Sequence, residues 1–398
     1  MQMKPESSPP QSTELSQLTE TIEAGGAQSQ LADPIDASDG AKASLAPLID
    51  NYRAILQAKA LYYPVAYQFV RELGRGRQGV VYLGIRQGAR GSTTRHAIKL
   101  FDPSLYPSAQ KYWTDMGRIA AQTSALQTVK SPNLVSPDSY EEVNGIGYVQ
   151  MEAVNGVGLR YLLDGKHLDR VRKLSTDEEW SRYNDVIFQR HEGRLAIQPG
   201  VVIYIIRRVL RALEILHDKG FVHCDVKPAN ILLDQLGYVK LIDYGRATLN
   251  NERVSFLLGT PMYMAPEMHR REPAVIQSDL YTVGLVILEM LRGQPAIPQK
   301  PLSEKDLLEY KINMYNQLPA LLPEYVRKNE AFVTALRRFL APRPEDRFTH
   351  AQEAESGKEG LILVHKQLAL MGKDTEYGRE LEHYLAKLAD PVTGDIAP

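Results

Sequence analysis

His223-Cys224-Asp225-Val226-Lys227-Pro228-Ala229-Asn230, followed by Asp243-Tyr244-Gly245, is the stretch on which the reading of this chain turns. It brings a candidate proton acceptor, a cation and two oxygen donors for a hard metal ion into one short span. Upstream lie Gly74-x-Gly76-x-x-Gly79-x-Val81 and then Ala97-Ile98-Lys99. The glycines fall between two β-like runs and do not open a helix, so they describe a flap over phosphates and not a dinucleotide fingerprint. Glycine lets backbone N–H groups approach phosphate oxygens with no Cβ in the way. Lys99 stands in an apolar run, where an ammonium is costly unless paired, and the matching use is a clamp on nucleotide phosphates. Taken in this order, the elements fit transfer of a phosphoryl group from a Mg²⁺-bound nucleotide to a hydroxyl.

Composition narrows the setting. The chain has 398 residues, 43% of them hydrophobic, with a formal net charge of −1 and a single cysteine. That is enough apolar material for a core or two lobes. Balanced charge gives no global field for nucleic acid or an acidic membrane. One cysteine excludes an internal disulfide framework and a cysteine-rich zinc site. No apolar run approaches the ~20 residues of a membrane span, and no secretory signal is visible at the N-terminus. The expectation is a cytoplasmic protein with neither a membrane span nor a nucleic-acid partner.

Along the chain, residues 1–44 are rich in Ser, Gln, Pro, Ala and Gly and read as a disordered tail. A lead-in helix follows within residues 45–65. Residues 68–73, 80–84 and 96–101 read as three antiparallel strands and 145–152 as a further strand. Between them a helix carries Trp113, Met116, Ile119, Ala120, Thr123 and Leu126 at helical spacing. The remainder is mostly helical, with segments at 201–217, 281–291, 307–318, 331–340, 359–370 and 377–388. Residues 164–199 are highly charged and longer than a compact connection needs. They read as an insertion with some helix of its own. A solvated excursion is the plainer account, and a surface for a regulatory partner the sharper one.

With these motifs in order, residues 66–370 resemble the eukaryotic-type (Hanks-type) serine/threonine protein kinases. The resemblance implies an α+β, bilobal fold, with a small antiparallel β-rich N-lobe (66–154) and a larger, mostly helical C-lobe (155–375). A C-terminal helix and tail (376–398) would follow. It implies ATP between the lobes, against Leu73, Gly74, Gly76, Gly79, Val81, Ala97, Lys99 and Leu232. Met151 would be the gatekeeper, with Glu152 and Val154 on the adenine edge. Asp225 would orient the acceptor hydroxyl and Lys227 would contact the transferring phosphate, while Asn230 and Asp243 would hold Mg²⁺. Gly259-Thr260-Pro261-Met262-Tyr263-Met264-Ala265-Pro266-Glu267 resembles the segment that receives a protein substrate. Glu267 would pair with Arg347, and Asp279 would brace the catalytic loop.

Three positions depart from the family pattern. The helix glutamate expected opposite Lys99 is Gln122, and no glutamate occurs between Phe101 and Tyr140. Asp115 lies on the same helix face but about 10 Å away along the axis. A lysine–carboxylate pair about 4 Å apart gains about 4 kcal/mol at an effective dielectric near 20, before desolvation. A glutamine oxygen accepting from the ammonium recovers about 1.5–3 kcal/mol. Cys224 replaces the arginine that in many relatives receives a loop phosphate, and Thr248 and Ser255 are the only hydroxyls in 246–258. Activity without loop phosphorylation is therefore expected. Tyr244 for phenylalanine is mild, provided its hydroxyl finds a partner. The leading reading is a kinase of protein Ser/Thr hydroxyls. The alternative is a pseudokinase or nucleotide-binding scaffold, and a small-molecule or lipid kinase is disfavoured by Gly259–Glu267.

Overall fold

The computed structural model describes residues 44–62, 65–76, 78–253, 260–298, 302–370 and 376–396. The expectation for residues 1–44 therefore lies, Ser44 apart, outside the described residues, as do those for Ser255 and Gly259. Residues 45–398 form one unit with a small and a large lobe.

The small lobe is a six-stranded antiparallel sheet in the order β1-β2-β3-β4-β6-β5. Its strands are β1 (Ala60–Leu61), β2 (Tyr67–Gly76), β3 (Gly79–Gln87), β4 (Thr93–Phe101), β5 (Pro137–Val143) and β6 (Ile146–Glu152). The β-branched runs expected as strands are strands. β5 escaped that reading because Asp138, Ser139, Glu141 and Glu142 interrupt any apolar alternation on this edge. Its signal was the Asn144-Gly145 pair, both residues at positive φ (50° and 76°), as a tight hairpin turn requires.

The lead-in helix, Ala46–Ala58, buries Tyr52 and Ile55 against Phe69, Val80, Ile98, Leu100, Ile146 and Tyr148. The cleft helix, Ala109–Leu126, starts where Ser108 caps the Lys111 N–H at 3.2 Å. Tyr112, Met116, Ile119, Thr123 and Leu126 are its buried stripe. Trp113, expected on that stripe, lies at its edge and is 36% exposed; Tyr112 takes the buried position.

Two apolar helices centre the large lobe, Pro199–Asp218 and Ile276–Arg292; the second is buried from Ser278 to Leu291. Residues 164–199 are no solvated excursion. They form helices Leu168–Lys173 and Asp177–Val186 and a hairpin of Phe188–His191 with Arg194–Ile197. Val171, Tyr183, Ile187, Phe188, Ala196 and Ile197 are buried in the lobe's core. The charged residues are the outer face of amphipathic elements. These elements hold the C-terminal helix, Tyr377–Ala386: His167 Nδ1 bonds the Tyr384 hydroxyl, Arg182 pairs with Glu380, and Glu179 pairs with Lys387 at 2.9 Å. The chain then returns to the small lobe, where Asp395 meets Arg95 at 2.5 Å and Ile396 O accepts from Arg71 at 3.0 Å. Among the described residues no helix is long and apolar enough to cross a membrane.

Candidate active site

Lys99 is set by its strand. β4 pairs it with Val81 of β3 and Val149 of β6, and its side chain is only 11% exposed. The ammonium donates to Asp243 Oδ1 at 2.5 Å and to Gln78 Oε1 at 2.9 Å. Burial alone would raise the Asp243 carboxyl, but the Lys99 cation against it and the nearby Lys227 hold its pKa down to about 2, so it is a carboxylate. Asp243 has φ 68°, an uncommon backbone for a residue with a Cβ. The Gly245 carbonyl accepts from Gln78 Nε2 at 3.2 Å and from Arg118 at 3.0 Å. A Cβ at Gly245 would sit 2.6 Å from Gln78 Oε1 and 3.2 Å from Lys99 Nζ, so a side chain there would displace Gln78 from the ammonium.

Gln122 does not face Lys99 as a hydrogen-bond partner, which corrects the expectation. Its nitrogen donates to the Ala247 carbonyl, while its oxygen is buried with no partner among the described residues. With Lys99, Asp243, Met151 and Val149 it lines a cavity of about 50 Å³ behind the cleft. Gln122 and Arg118 therefore tie the cleft helix to the segment after Asp243, and the neutral partner of Lys99 comes from the glycine-rich turn. Asp115 is engaged by Arg118 at 3.0 Å and Tyr106 at 2.8 Å. Gln78 stood in plain view between Gly76 and Gly79, but nothing local pointed across the cleft to Lys99.

The catalytic-loop stretch is held from below. Asp279 accepts the His223 N–H at 2.7 Å and the Cys224 N–H at 2.9 Å, and Cys224 has φ 63°. His223 Nδ1 accepts from the Asp225 N–H at 3.2 Å, so its Nε2 carries the proton donated to Ile242 O at 3.1 Å. Asp225 Oδ2 receives the Lys227 ammonium at 2.6 Å, and its Oδ1 receives the Thr260 hydroxyl at 3.0 Å. Lys227 also reaches Thr260 Oγ1 at 3.1 Å. Thr260 was noticed only as part of a longer segment; its bond to Asp225 crosses between elements and has no local signature. Asn230 donates its nitrogen to Asp225 O at 2.8 Å and Oδ2 at 3.2 Å, which leaves its carbonyl oxygen for a cation. Ile242 N to Asn230 O, at 3.0 Å, joins this cluster to the strand that leads into Asp243.

The remaining candidates line up by strand pairing. Ala97 is buried and pairs with Met151, while Glu152 is fixed by Lys240 at 3.0 Å. Leu73, Val81, Met151, Val154 and Leu232 are half-buried, and Leu232 pairs with Gly158. Gly79, at φ 143°, would drive a Cβ to 1.9 Å from Leu100 O, so strand packing explains it. No described protein atom lies near a Cβ at Gly74 or Gly76. The Tyr244 hydroxyl finds Leu241 O at 3.2 Å, and its ring packs edge-on against His223. Cys224 is buried, which pushes its thiol pKa up and makes it an inert filler. Thr248 is buried and bonds Glu252.

A β-rich lobe over a helical lobe, with a lysine–aspartate pair and a braced acidic loop between them, is the architecture of a protein kinase. Residues 67–357 match the protein kinase domain, and the chain belongs to the eukaryotic-type serine/threonine protein kinase family. It is similar to serine/threonine-protein kinase PknE of Mycobacterium tuberculosis, 28% identical over 339 residues, covering 83% of this chain and 51% of the relative. Serine/threonine-protein kinase PknD of the same species is 27% identical over 311 residues, 76% of this chain and 40% of the relative. The probable serine/threonine-protein kinase PknB of Lactococcus lactis is 27% identical over 232 residues, 57% of this chain and 32% of the relative. The chain thus spans about half the length or less of these relatives.

Proposed function

We propose that the chain is a catalytically active protein kinase that transfers the γ-phosphoryl group of ATP to Ser and Thr hydroxyls of proteins, without need of a loop phosphate. The observation that carries the reading is the Asp225 carboxylate held between Lys227 and Thr260, beside an ionised Asp243 bonded to Lys99. A module that only binds partners has no chemical use for two oriented carboxylates and two oriented ammonium groups around one cleft.

In this reading Leu73, Val81, Ala97, Met151, Val154 and Leu232 sandwich the adenine, and the backbone of Glu152 and Val154 bonds its edge. Gly74 and Gly76, whose lack of a side chain nothing among the described residues explains, lie over the phosphates. Lys99 clamps the α- and β-phosphates. Asn230 and Asp243 are hard oxygen donors that fit Mg²⁺, which supplies neutralisation of phosphate charge when bound. Asp225 accepts the hydroxyl proton while Lys227 stabilises charge on the transferring group in an in-line displacement. Since the donor is ATP, the reading carries a cytoplasmic location with it.

Independence from a loop phosphate rests on Cys224, which offers no cation, and on Thr248, whose buried hydroxyl is already bonded. After phosphatase treatment and phosphatase removal, the full chain with Mg·ATP and casein is expected to label Ser and Thr at a rate similar to untreated protein. Complete dependence on a loop phosphate, read by mass spectrometry against rate, would contradict this. A second reading, nucleotide binding without transfer, is favoured only by the missing helix carboxylate opposite Lys99.

A further inference from the structure

Lys311 lies on helix Glu304–Asn316 and is 1% exposed. An ammonium at such depth is costly unless its donors are all used. They are: it donates to Pro261 O at 2.9 Å, Met264 O at 2.5 Å and His269 Nε2 at 2.9 Å. An ammonium has three N–H donors, and here they meet three acceptors. Burial pulls its pKa from the ordinary lysine value down to about 7, with Glu267 opposing, while three acceptors within 2.9 Å of the ammonium favour the charged form. His269 is kept neutral, its pKa lowered to about 3 by burial and then by Lys311, which suits an accepting Nε2. A methionine would fill this volume at no desolvation cost, so packing does not account for the cation.

The two carbonyls belong to the segment that begins at Thr260 and ends at Glu267. Its first residue bonds Asp225 and its last bonds Arg347 at 2.7 Å. Between them the chain turns back on Thr260 O, which accepts from Tyr263 N at 2.8 Å and Met264 N at 3.1 Å. That turn leaves the Pro261 and Met264 carbonyls to the lysine. We infer that Lys311 is a positioning residue for the protein acceptor, pinning the backbone of residues 261–264 so that the acceptor chain is laid against Asp225. The inference rests on the kinase reading above and adds a residue, on a separate helix, that sets acceptor recognition.

The test uses the full chain with casein as acceptor. Lys311→Met is expected to raise KM for casein by about tenfold to a hundredfold, roughly the worth of one hydrogen bond from a charged donor, because the lost bonds act on the acceptor only through the segment they pin, with KM for ATP unchanged. Amide hydrogen exchange in 260–269 is expected to quicken selectively. His269→Leu, which removes one acceptor and keeps the lysine, should move both readouts in the same direction by a smaller factor. Unchanged casein KM, unchanged exchange in 260–269, or loosening spread evenly through the protein would overturn the inference. Wild type that labels no casein would instead sink the kinase reading, and the exchange comparison would still decide whether Lys311 pins the segment.

Discussion

Asp225→Asn is expected to cut phosphoryl transfer by about 10²–10⁴-fold, the range for loss of a positioned general base, while ATP binding persists. The substitution keeps the shape of the side chain. It removes the negative charge that receives Lys227 at 2.6 Å and, with it, the basicity needed to take the acceptor proton, since an amide oxygen accepts hydrogen bonds but does not hold a proton. Lys99 and Asp243, which bond each other and not Asp225, are left in place. The loss should therefore fall on kcat, with KM for ATP little changed. Measured with Mg·ATP and casein, equal signal in wild type and variant would mean that the label arises without this carboxylate, as expected of a binding module contaminated by another kinase.

Arg347→Met is expected to destabilise the fold by about 3–5 kcal/mol, the usual cost of stranding one member of a buried ion pair. Arg347 and Glu267 are 0% and 1% exposed and meet through two bonds, at 2.8 and 2.7 Å. The guanidinium also serves the carbonyls of Ala341, Gln277 and Pro342. Once its partner is gone, the side chain left to Glu267 among the described residues is Ser278, whose hydroxyl donates to it at 2.7 Å. Burial would raise the Glu267 carboxyl, but Arg347 holds it below its ordinary value. Its contribution is thus present above the unfolded glutamate pKa and is lost as pH falls through the lower folded value. Urea unfolding at neutral pH checks the magnitude; a loss under about 1 kcal/mol, typical of exposed pairs, would show the bridge to be no more than ornamental.

What could be read from the chain was what is local. The glycine-rich turn, Lys99 in its strand, and the Asp225–Asn230 loop each carry their chemistry within a few residues. The Glu267–Arg347 and Asp279 contacts followed from the family resemblance, and the structure contains both. What escaped notice was tertiary. Gln78, Arg118 and Thr260 act through bonds to elements far away in sequence, and Gln122 turned from Lys99 to the Ala247 carbonyl. In residues 164–199 the helical content was legible, as helices Leu168–Lys173 and Asp177–Val186 show, but the burial was not. Their charge density hid Val171, Tyr183, Ile187 and Phe188, which bury one face of elements whose other face is solvated. Composition averaged over such a stretch reports the outside and misses the seam.

The central claim is that Lys99, Asn230 and Asp243 belong to one nucleotide site. Calorimetric titration of ATP into the full chain, with and without Mg²⁺, tests it most directly. Saturable binding that strengthens with Mg²⁺ is predicted, with Lys99→Met and Asp243→Asn each weakening it by about tenfold or more, the value of a lost charge-assisted hydrogen bond. An absence of binding, or binding indifferent to both substitutions, would contradict the account.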